Sequence, residues 1–120
     1  MAGVTPLKRV LTDLSRVPNV RGVFVISKEA FVIDSVTATG AFDEEALAAM
    51  LTATMGSIES FGKELELGKP EIVTVEFSGS ITLVADIGEH VVALLADRGA
   101  VLGRLRYELK KQLPRIRASL

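Results

Sequence analysis

The chain has 120 residues, 48% of them hydrophobic, which is enough for one compact domain with a core and short for two. Its formal net charge of −1, with basic residues in both halves, does not indicate a nucleic-acid-binding protein. The absence of cysteine excludes disulfides, thiolate chemistry and cysteine-ligated zinc.

The N-terminal residues, Met1 to Val4, lack the basic patch and long apolar run of a signal peptide. No apolar run approaches the ~20 residues that are needed to span a bilayer. A chain without cysteine is also compatible with a reducing compartment. We therefore expect a cytoplasmic, soluble protein with no membrane insertion and no nucleic-acid partner.

The first third of the sequence predicts a helix followed by a β-hairpin. Thr5 is a suitable N-cap and Pro6 suits the first helical position, where its missing N–H costs nothing. The apolar run over 22–27 is typical of a strand that is covered on both faces, and a second strand is predicted over 30–38, ending near Gly40. The apolar stripe of the helix comprises Leu7, Val10, Leu11, Leu14 and Val17.

The segment 43–67 predicts the longest helix of the chain. Acidic residues at positions 43–45 favour its start, because the N-terminal end of a helix dipole attracts negative charge. Gly68 and Pro70 favour its end.

At about 100° per residue this helix divides into three faces. The predicted core stripe comprises Leu47, Met50, Leu51, Thr54, Ile58, Phe61 and Leu65. The second face is lined by small residues, Ala46, Ala49, Ala53, Ser57 and Ser60, with Gly56 at its edge. The third face carries Ala48, Thr52, Met55, Glu59 and Lys63 and is assigned either to ordinary surface or to a partner contact.

Two glycines lie inside the predicted helix, Gly56 and Gly62. Each costs about 0.8–1 kcal/mol relative to alanine in a helix interior, so packing or function should offset that cost. The small-residue face allows another backbone to approach closely. We therefore expect this helix to pair with a second copy of itself.

Three closely spaced strands follow, over 71–77, 80–87 and 89–96. Their short linkers predict an antiparallel meander, because a parallel crossover needs a dozen or more residues. The first strand is less apolar than the last, so we predict that it lies at an edge of the sheet, where it could pair with a partner, and that the last is central.

The last helix is predicted from an apolar stripe of Val101, Leu102, Leu105, Leu109, Leu113 and Ile116. Pro114 is expected to kink or fray its final turn. The opposite face is basic, with Arg104, Arg106, Lys110, Lys111, Arg115 and Arg117. Such a face usually carries its charges into water, although it could also bind anionic lipid or nucleic acid.

The predicted order is helix, two strands, helix, three strands, helix. Strands that are apolar on both sides need helices on both faces of the sheet. The sequence therefore predicts an α+β fold: a three-layer α/β/α sandwich with a central five-stranded antiparallel sheet, formed by residues 1–120 as a single domain.

No set of residues predicts catalysis, a metal site or a cofactor. His90 is the only histidine, and no serine or acid is fixed near it by spacing. The stretch 56–64 superficially resembles a phosphate-binding loop, but its glycine spacing, its glutamate in place of serine or threonine, and its position within a helix all argue against one. Asp86, Glu89 and Asp97 are typical of solvated acids at strand ends.

Several segments together resemble the roadblock/dynein light chain family. The likeness spans 7–113 and rests on pattern and element order more than on an invariant signature. The segments that carry it are Leu14-Ser15-Arg16-Val17, Pro18-Asn19-Val20-Arg21-Gly22, Val23-Phe24-Val25-Ile26, Gly40, the alanine-rich helix from Asp43, and Val91-Val92-Ala93-Leu94-Leu95.

In size and build the chain resembles most the compact bacterial and archaeal members of the family, including the MglB-like ones. The resemblance implies a non-catalytic homodimer that binds a Ras-like small GTPase. In that family the central helices of two subunits pair and edge strands join the sheets. The predicted dimer seam comprises Ala49, Ala53, Gly56 and Ser60. As a whole it would meet its own copy across a two-fold axis. The predicted partner platform is Ala48, Thr52, Met55, Glu59 and Lys63.

Some members of the family stimulate GTP hydrolysis, and the family offers no invariant catalytic residue to map onto this chain. Stimulation would then act by shifting the partner's own loops, with Arg21 and Arg98 as the possible exceptions that could supply an arginine finger. The alternative function is a purely structural, light-chain-like adaptor in a larger complex, with no effect on a nucleotide cycle.

Overall fold

The computed structural model describes residues 4–38 and 42–120; Gly40, which was predicted to end the second strand, lies outside them. Within these residues the chain forms three helices and five strands. They are α1 (Pro6–Ser15), β1 (Val20–Ser27), β2 (Val32–Thr37), α2 (Glu44–Glu64), β3 (Ile72–Glu76), β4 (Ser80–Asp86), β5 (His90–Asp97) and α3 (Leu102–Ala118). The predicted element order is confirmed.

The five strands form one antiparallel sheet in the order β2-β1-β5-β4-β3. The central position of β5 and the edge position of β3 are both as predicted. The pairing of β1 with β2 is irregular between Val25 and Ile26, where the register shifts.

Helices cover both faces of the sheet, which confirms the three-layer α/β/α arrangement. Neighbouring residues of β1 point into different cores: Val25 packs under α1 and α3, and Phe24 packs under α2. The α1/α3 core contains Leu7, Val10, Leu11, Leu14, Leu83, Val92, Leu94, Leu105, Leu109 and Ile116, among others. The smaller α2 core contains Phe24, Ile26, Ala48, Met55, Val84, Val91 and Ala93.

Side chains cap the N-termini of α1 and α2. The Thr5 hydroxyl accepts a hydrogen bond from the Lys8 N–H at 3.0 Å, and the Asp43 carboxylate accepts one from the Ala46 N–H at 3.1 Å. Each bond satisfies a backbone donor that has no partner within its own helix.

The α2 helix ends three residues earlier than predicted, and a pair of backbone hydrogen bonds caps its C-terminus. The Leu67 N–H donates to the Gly62 carbonyl at 2.7 Å, and the Glu66 N–H donates to the Lys63 carbonyl at 3.3 Å. Glu66 has a φ of +56°, the left-handed conformation that this type of helix end requires. Glu66, rather than Gly68, therefore occupies the position that ends the helix.

The last helix continues for one turn beyond Pro114 and ends at Ala118. Its buried residues, Leu105, Leu109 and Ile116, agree with the predicted stripe. Val101, the first residue of that stripe in the prediction, precedes the helix and is 69% exposed, so its assignment to the stripe is wrong. Within the described residues no helix is both long enough and apolar enough to cross a membrane.

Candidate functional site

The side of α2 that faces the sheet carries Ala48, Met55 and Gly62, which recur every two turns. Ala48 is 0% exposed and Met55 is 3% exposed. Their prediction as part of an exposed partner platform is therefore wrong. The small residues Ala48 and Gly62 let the helix approach its neighbours closely, so this face packs inward although it holds few large apolar side chains.

The other residues of the predicted platform do not form a continuous exposed surface. The Thr52 hydroxyl is turned back to its own helix and donates to the Ala48 carbonyl at 2.8 Å. Glu59 is half-buried, with its carboxylate 3.6 Å from the Lys28 ammonium. Lys63 is exposed.

Four residues that were predicted to face the core lie at the surface instead, and we call them the apolar flank: Met50, Thr54, Phe61 and Leu65. Met50 is 62% exposed and Phe61 is 56% exposed. The helix is rotated relative to the prediction, with Leu47, Leu51 and Ile58 remaining half-buried against the sheet. The core assignment of the apolar flank is therefore wrong.

The residues predicted to form the dimer seam, Ala49, Ala53, Gly56 and Ser60, are all exposed. We keep the name small-residue seam for these four. Outside its own stretch of helix, a Cβ atom built on Gly56 would meet no atom of the described residues within 4 Å, so no tertiary contact among them explains a glycine at this position.

The small-residue seam faces outward above the β3 side of the sheet. Glu59 and Lys63 line a hollow of about 360 Å³ together with Gly68 and Lys69, which lead into β3. Viewed down the helix axis, Lys63 lies between Glu59 and Gly56. The seam therefore borders this hollow, and it lies away from the apolar flank.

The edge strand β3 offers unpaired backbone groups beside this seam. The Phe77 N–H donates to the Ser80 carbonyl at 2.8 Å, and the Asp86 N–H donates to the Glu71 carbonyl at 2.9 Å. Because bonding groups alternate along an antiparallel strand, the N–H and C=O of Thr74 point away from β4 to the free edge. The edge is therefore available for pairing.

The α2 face of β3 is also partly uncovered, since α2 comes closest to β1 and β2. This face carries every second residue, namely Val73, Val75 and Phe77. Phe77 follows the strand and is 53% exposed. Seam, free edge and uncovered apolar side chains thus adjoin one another on one side of the molecule.

Residues 6–97 match the Roadblock/LC7 domain. The chain belongs to the Roadblock/LC7 domain family. It is 31% identical over 112 residues to an uncharacterized protein of Methanocaldococcus jannaschii, covering 93% of this chain and 97% of the relative. A second uncharacterized protein of that organism is 33% identical over 112 residues, covering 93% and 94% of the two chains.

Solved structures share the fold of this Roadblock/LC7 chain. Myxococcus xanthus MglB superposes with a TM-score of 0.89 at 20% identity, covering 97% of this chain and 88% of MglB. The gliding protein MglB from Thermus thermophilus gives 0.87 at 19% identity, covering 99% and 92%. A Roadblock/LC7 domain from Streptomyces avermitilis gives 0.83 at 22% identity, covering 92% and 93%.

Two of the acids predicted to be solvated at strand ends differ in exposure in this Roadblock/LC7 chain. The Asp86 side chain is 8% exposed, with its carboxylate 3.1 Å from the Lys28 ammonium, whereas the Asp97 side chain is 47% exposed. Within residues 4–38 and 42–120, no group of three or more His, Asp or Glu side chains could hold a metal ion. His90 lines an open hollow of about 530 Å³ with Ser27 and Phe31. In that same part of the chain, no hydrogen bond of 3.5 Å or less joins the His90 ring to a carboxylate.

The two arginines considered as possible arginine fingers are both ion-paired at the surface. A guanidinium nitrogen of Arg21 lies 3.1 Å from a carboxylate oxygen of Asp97, and one of Arg98 lies 3.3 Å from Glu76. Both pairs are about half exposed, so they contribute little to stability.

Proposed function

We propose that this chain is a single Roadblock/LC7-type domain that acts as a non-catalytic homodimer, binds a Ras-like small GTPase in the cytoplasm, and regulates or scaffolds that GTPase. The observation that carries the proposal is the exposed small-residue seam beside the free edge of β3. Family membership and the fold shared with MglB support the choice of partner class.

In the proposed dimer, two α2 helices pack antiparallel across a two-fold axis. With the axis between Ala53 and Gly56, Ala53 of one chain packs against the partner's Gly56. Ala49 of one chain then packs against the partner's Ser60. Side chains this small allow the helices to approach closely. A two-fold axis also sets each β3 beside its own copy, so that the two sheets become one.

The same assembly explains the uncovered apolar residues of β3. The partner's α2 helix would lie over Val75 and Phe77, which the chain's own α2 leaves partly exposed. Burial of apolar area contributes about 25 cal/mol per Å², which makes pairing favourable on this side of the molecule.

The apolar flank is the surface that we propose for the GTPase. It is separated from the small-residue seam around the helix, so it stays open after dimerisation. Met50 and Phe61 supply large apolar side chains of the kind that anchor protein interfaces. In the dimer the two copies of this flank lie on the same side of the joined sheet.

If the chain stimulates GTP hydrolysis, we propose that it does so by shifting the partner's catalytic loops. Arg21 and Arg98 stay the possible exceptions, because their half-exposed ion pairs open at little cost in free energy. Loss of stimulation with intact binding in Arg21→Ala or Arg98→Ala would overturn this mechanism.

The proposal is tested with the Ras-like GTPase encoded nearest to this chain, by measuring complex formation and phosphate release. Phe61→Glu should weaken the complex at least tenfold, because it places a charge in the apolar contact. Tyr107→Glu is the matched control, since it introduces the same charge at an exposed aromatic residue in the opposite layer. Binding without faster phosphate release would favour the scaffold, and no binding would contradict the proposal.

A further inference from the structure

The helical layer formed by α1 and α3 holds most of the basic charge of the chain. The two helices carry eight basic and two acidic residues, a formal charge of +6, whereas the remaining residues sum to −7. The net charge of the chain is nearly neutral because a basic layer on one face of the sheet is balanced by the remaining residues, which are acidic in sum.

The basic side chains of α3 surround an outward-facing aromatic residue. With Leu105 and Leu109 buried, a helix turn of about 100° per residue places Tyr107 directly opposite the core. Tyr107 is 64% exposed. Lys110 and Lys111 lie one turn further along the same outer surface.

Most of this charge has no counter-ion within the chain. On α3, Arg104 pairs with Glu108 at 3.8 Å and Arg115 pairs with Asp13 at 3.2 Å. The four other cations of the helix have no carboxylate within 4.0 Å among the residues that the structure describes: Arg106, Lys110, Lys111 and Arg117.

The basic surface extends onto α1, because the two helices pack side by side. Arg9 of α1 and Arg16, which directly follows that helix, line one hollow with Arg115 of α3. On the other border, Glu71 and Asp86 line a hollow with Lys110 and Arg117, but both carboxylates stay beyond ion-pair distance of these cations. The basic face is therefore less basic at its border with Glu71 and Asp86 than at its border with α1.

We propose that the outer face of α1 and α3 binds the surface of an anionic phospholipid bilayer, without inserting into it. Each basic residue near such a surface strengthens binding roughly fivefold. The four cations of α3 that lack a counter-ion thus supply a several-hundredfold preference over a neutral bilayer. Tyr107 adds an amphipathic ring suited to the headgroup region, where tyrosine is enriched in membrane proteins.

The shape and composition of this face favour lipid over nucleic acid. Two adjacent helices form a broad surface, and Tyr107 is its single aromatic residue, whereas single-stranded nucleic acid is bound by several stacking side chains along a groove. The acidic residues of α2 do not prevent binding, because they lie across the sheet from the basic face and charges are screened over about 8 Å at physiological salt. Glu71 and Asp86 reach only one border of that face.

Lipid binding is compatible with the proposed function but independent of it. The basic face lies across the sheet from α2, so a membrane-bound molecule keeps its small-residue seam and apolar flank free. Joining two β3 edges would place both basic faces on one side of the dimer. A dimer would then bind the bilayer more tightly than a monomer, but each chain carries the complete surface.

The test is co-sedimentation of the purified chain with phosphatidylcholine vesicles that contain about 30% phosphatidylserine, against vesicles of phosphatidylcholine alone. The chain should bind the anionic vesicles and detach when salt is raised from about 0.1 M to 0.5 M. Lys111→Glu should lower binding roughly 25-fold, because reversal changes the charge by two. Tyr107→Ala should weaken binding without changing the net charge.

The matched control is Lys69→Glu, which makes the same charge change at an exposed lysine outside the basic face. It should bind anionic vesicles as the unmodified chain does, and thermal unfolding should show that all variants fold. Equal binding to both vesicle types, or equal losses in Lys111→Glu and Lys69→Glu, would overturn the proposal. Tighter binding to labelled single-stranded or duplex DNA or RNA than to anionic vesicles would overturn the choice of lipid.

Discussion

A Cβ atom on Gly62 would lie 2.7 Å from the carbonyl oxygen of Gly68. The end of α2 therefore folds back so tightly that the backbone of the connector occupies the space of a side chain. This contact explains one of the two glycines inside the long helix, and it fixes where the chain leaves α2 toward β3.

Replacing Gly62 with alanine should destabilise the fold by about 1–3 kcal/mol, because the methyl group displaces backbone rather than a flexible side chain. Urea unfolding measures the change. Gly103→Ala is the matched control, since a Cβ there meets nothing within 4 Å and alanine is the better helix former. Equal stability of Gly62→Ala and the unmodified chain would contradict the closeness of this contact.

Glu66→Gly should stabilise the fold by up to about 1 kcal/mol. Glu66 holds a left-handed conformation that glycine adopts without a steric penalty from a Cβ atom. Glu66→Ala separates this effect from loss of the charge, because alanine removes the carboxylate and keeps the Cβ. An equal gain in the free energy of unfolding in both variants would show that loss of the charge, and not relief of the backbone conformation, causes the effect.

Ala53→Glu should convert the proposed dimer into a monomer, since it places a bulky charge at the centre of the proposed seam. Light scattering should then give the 12.8 kDa mass of one chain in place of twice that value. Ala118→Glu, at an exposed position on α3, is the control and should remain dimeric. A dimer that persists in Ala53→Glu would place the interface elsewhere.

Thr74→Pro should also block dimerisation while the fold survives. Thr74 directs its N–H to the free edge of β3, so proline removes a donor that β4 does not use. Val73→Pro, one residue earlier, removes a donor from the β3–β4 ladder and should lower stability by several kcal/mol. Circular dichroism and light scattering distinguish the two effects.

Local signals predicted the elements of the fold well. Thr5 and Asp43 cap their helices as their residue types suggest, and the apolar run 91–96 marks the central strand. The family resemblance also predicted the fold that the comparisons show. These features depend on a few neighbouring residues or on element order, which a single sequence carries directly.

The rotation of α2 could not be predicted in the same way, because large apolar residues occur on more than one of its faces. Periodicity assigned Met50 and Phe61 to the core, but Ala48 and Met55 lie there. Small residues pack inward where a helix sits close to a sheet, and hydrophobicity does not report that closeness. The signal that was available is the excess of apolar residues around the helix, which is typical of an element that also contacts a partner.

The most direct test of the proposed function is the molar mass of the chain mixed with the GTP-loaded Ras-like GTPase encoded nearest to it, measured by light scattering after gel filtration. We predict a complex that contains two copies of this chain, and we predict that Ala53→Glu lowers its mass by at least one chain. A single chain of 12.8 kDa, unaffected by the GTPase, would contradict the account.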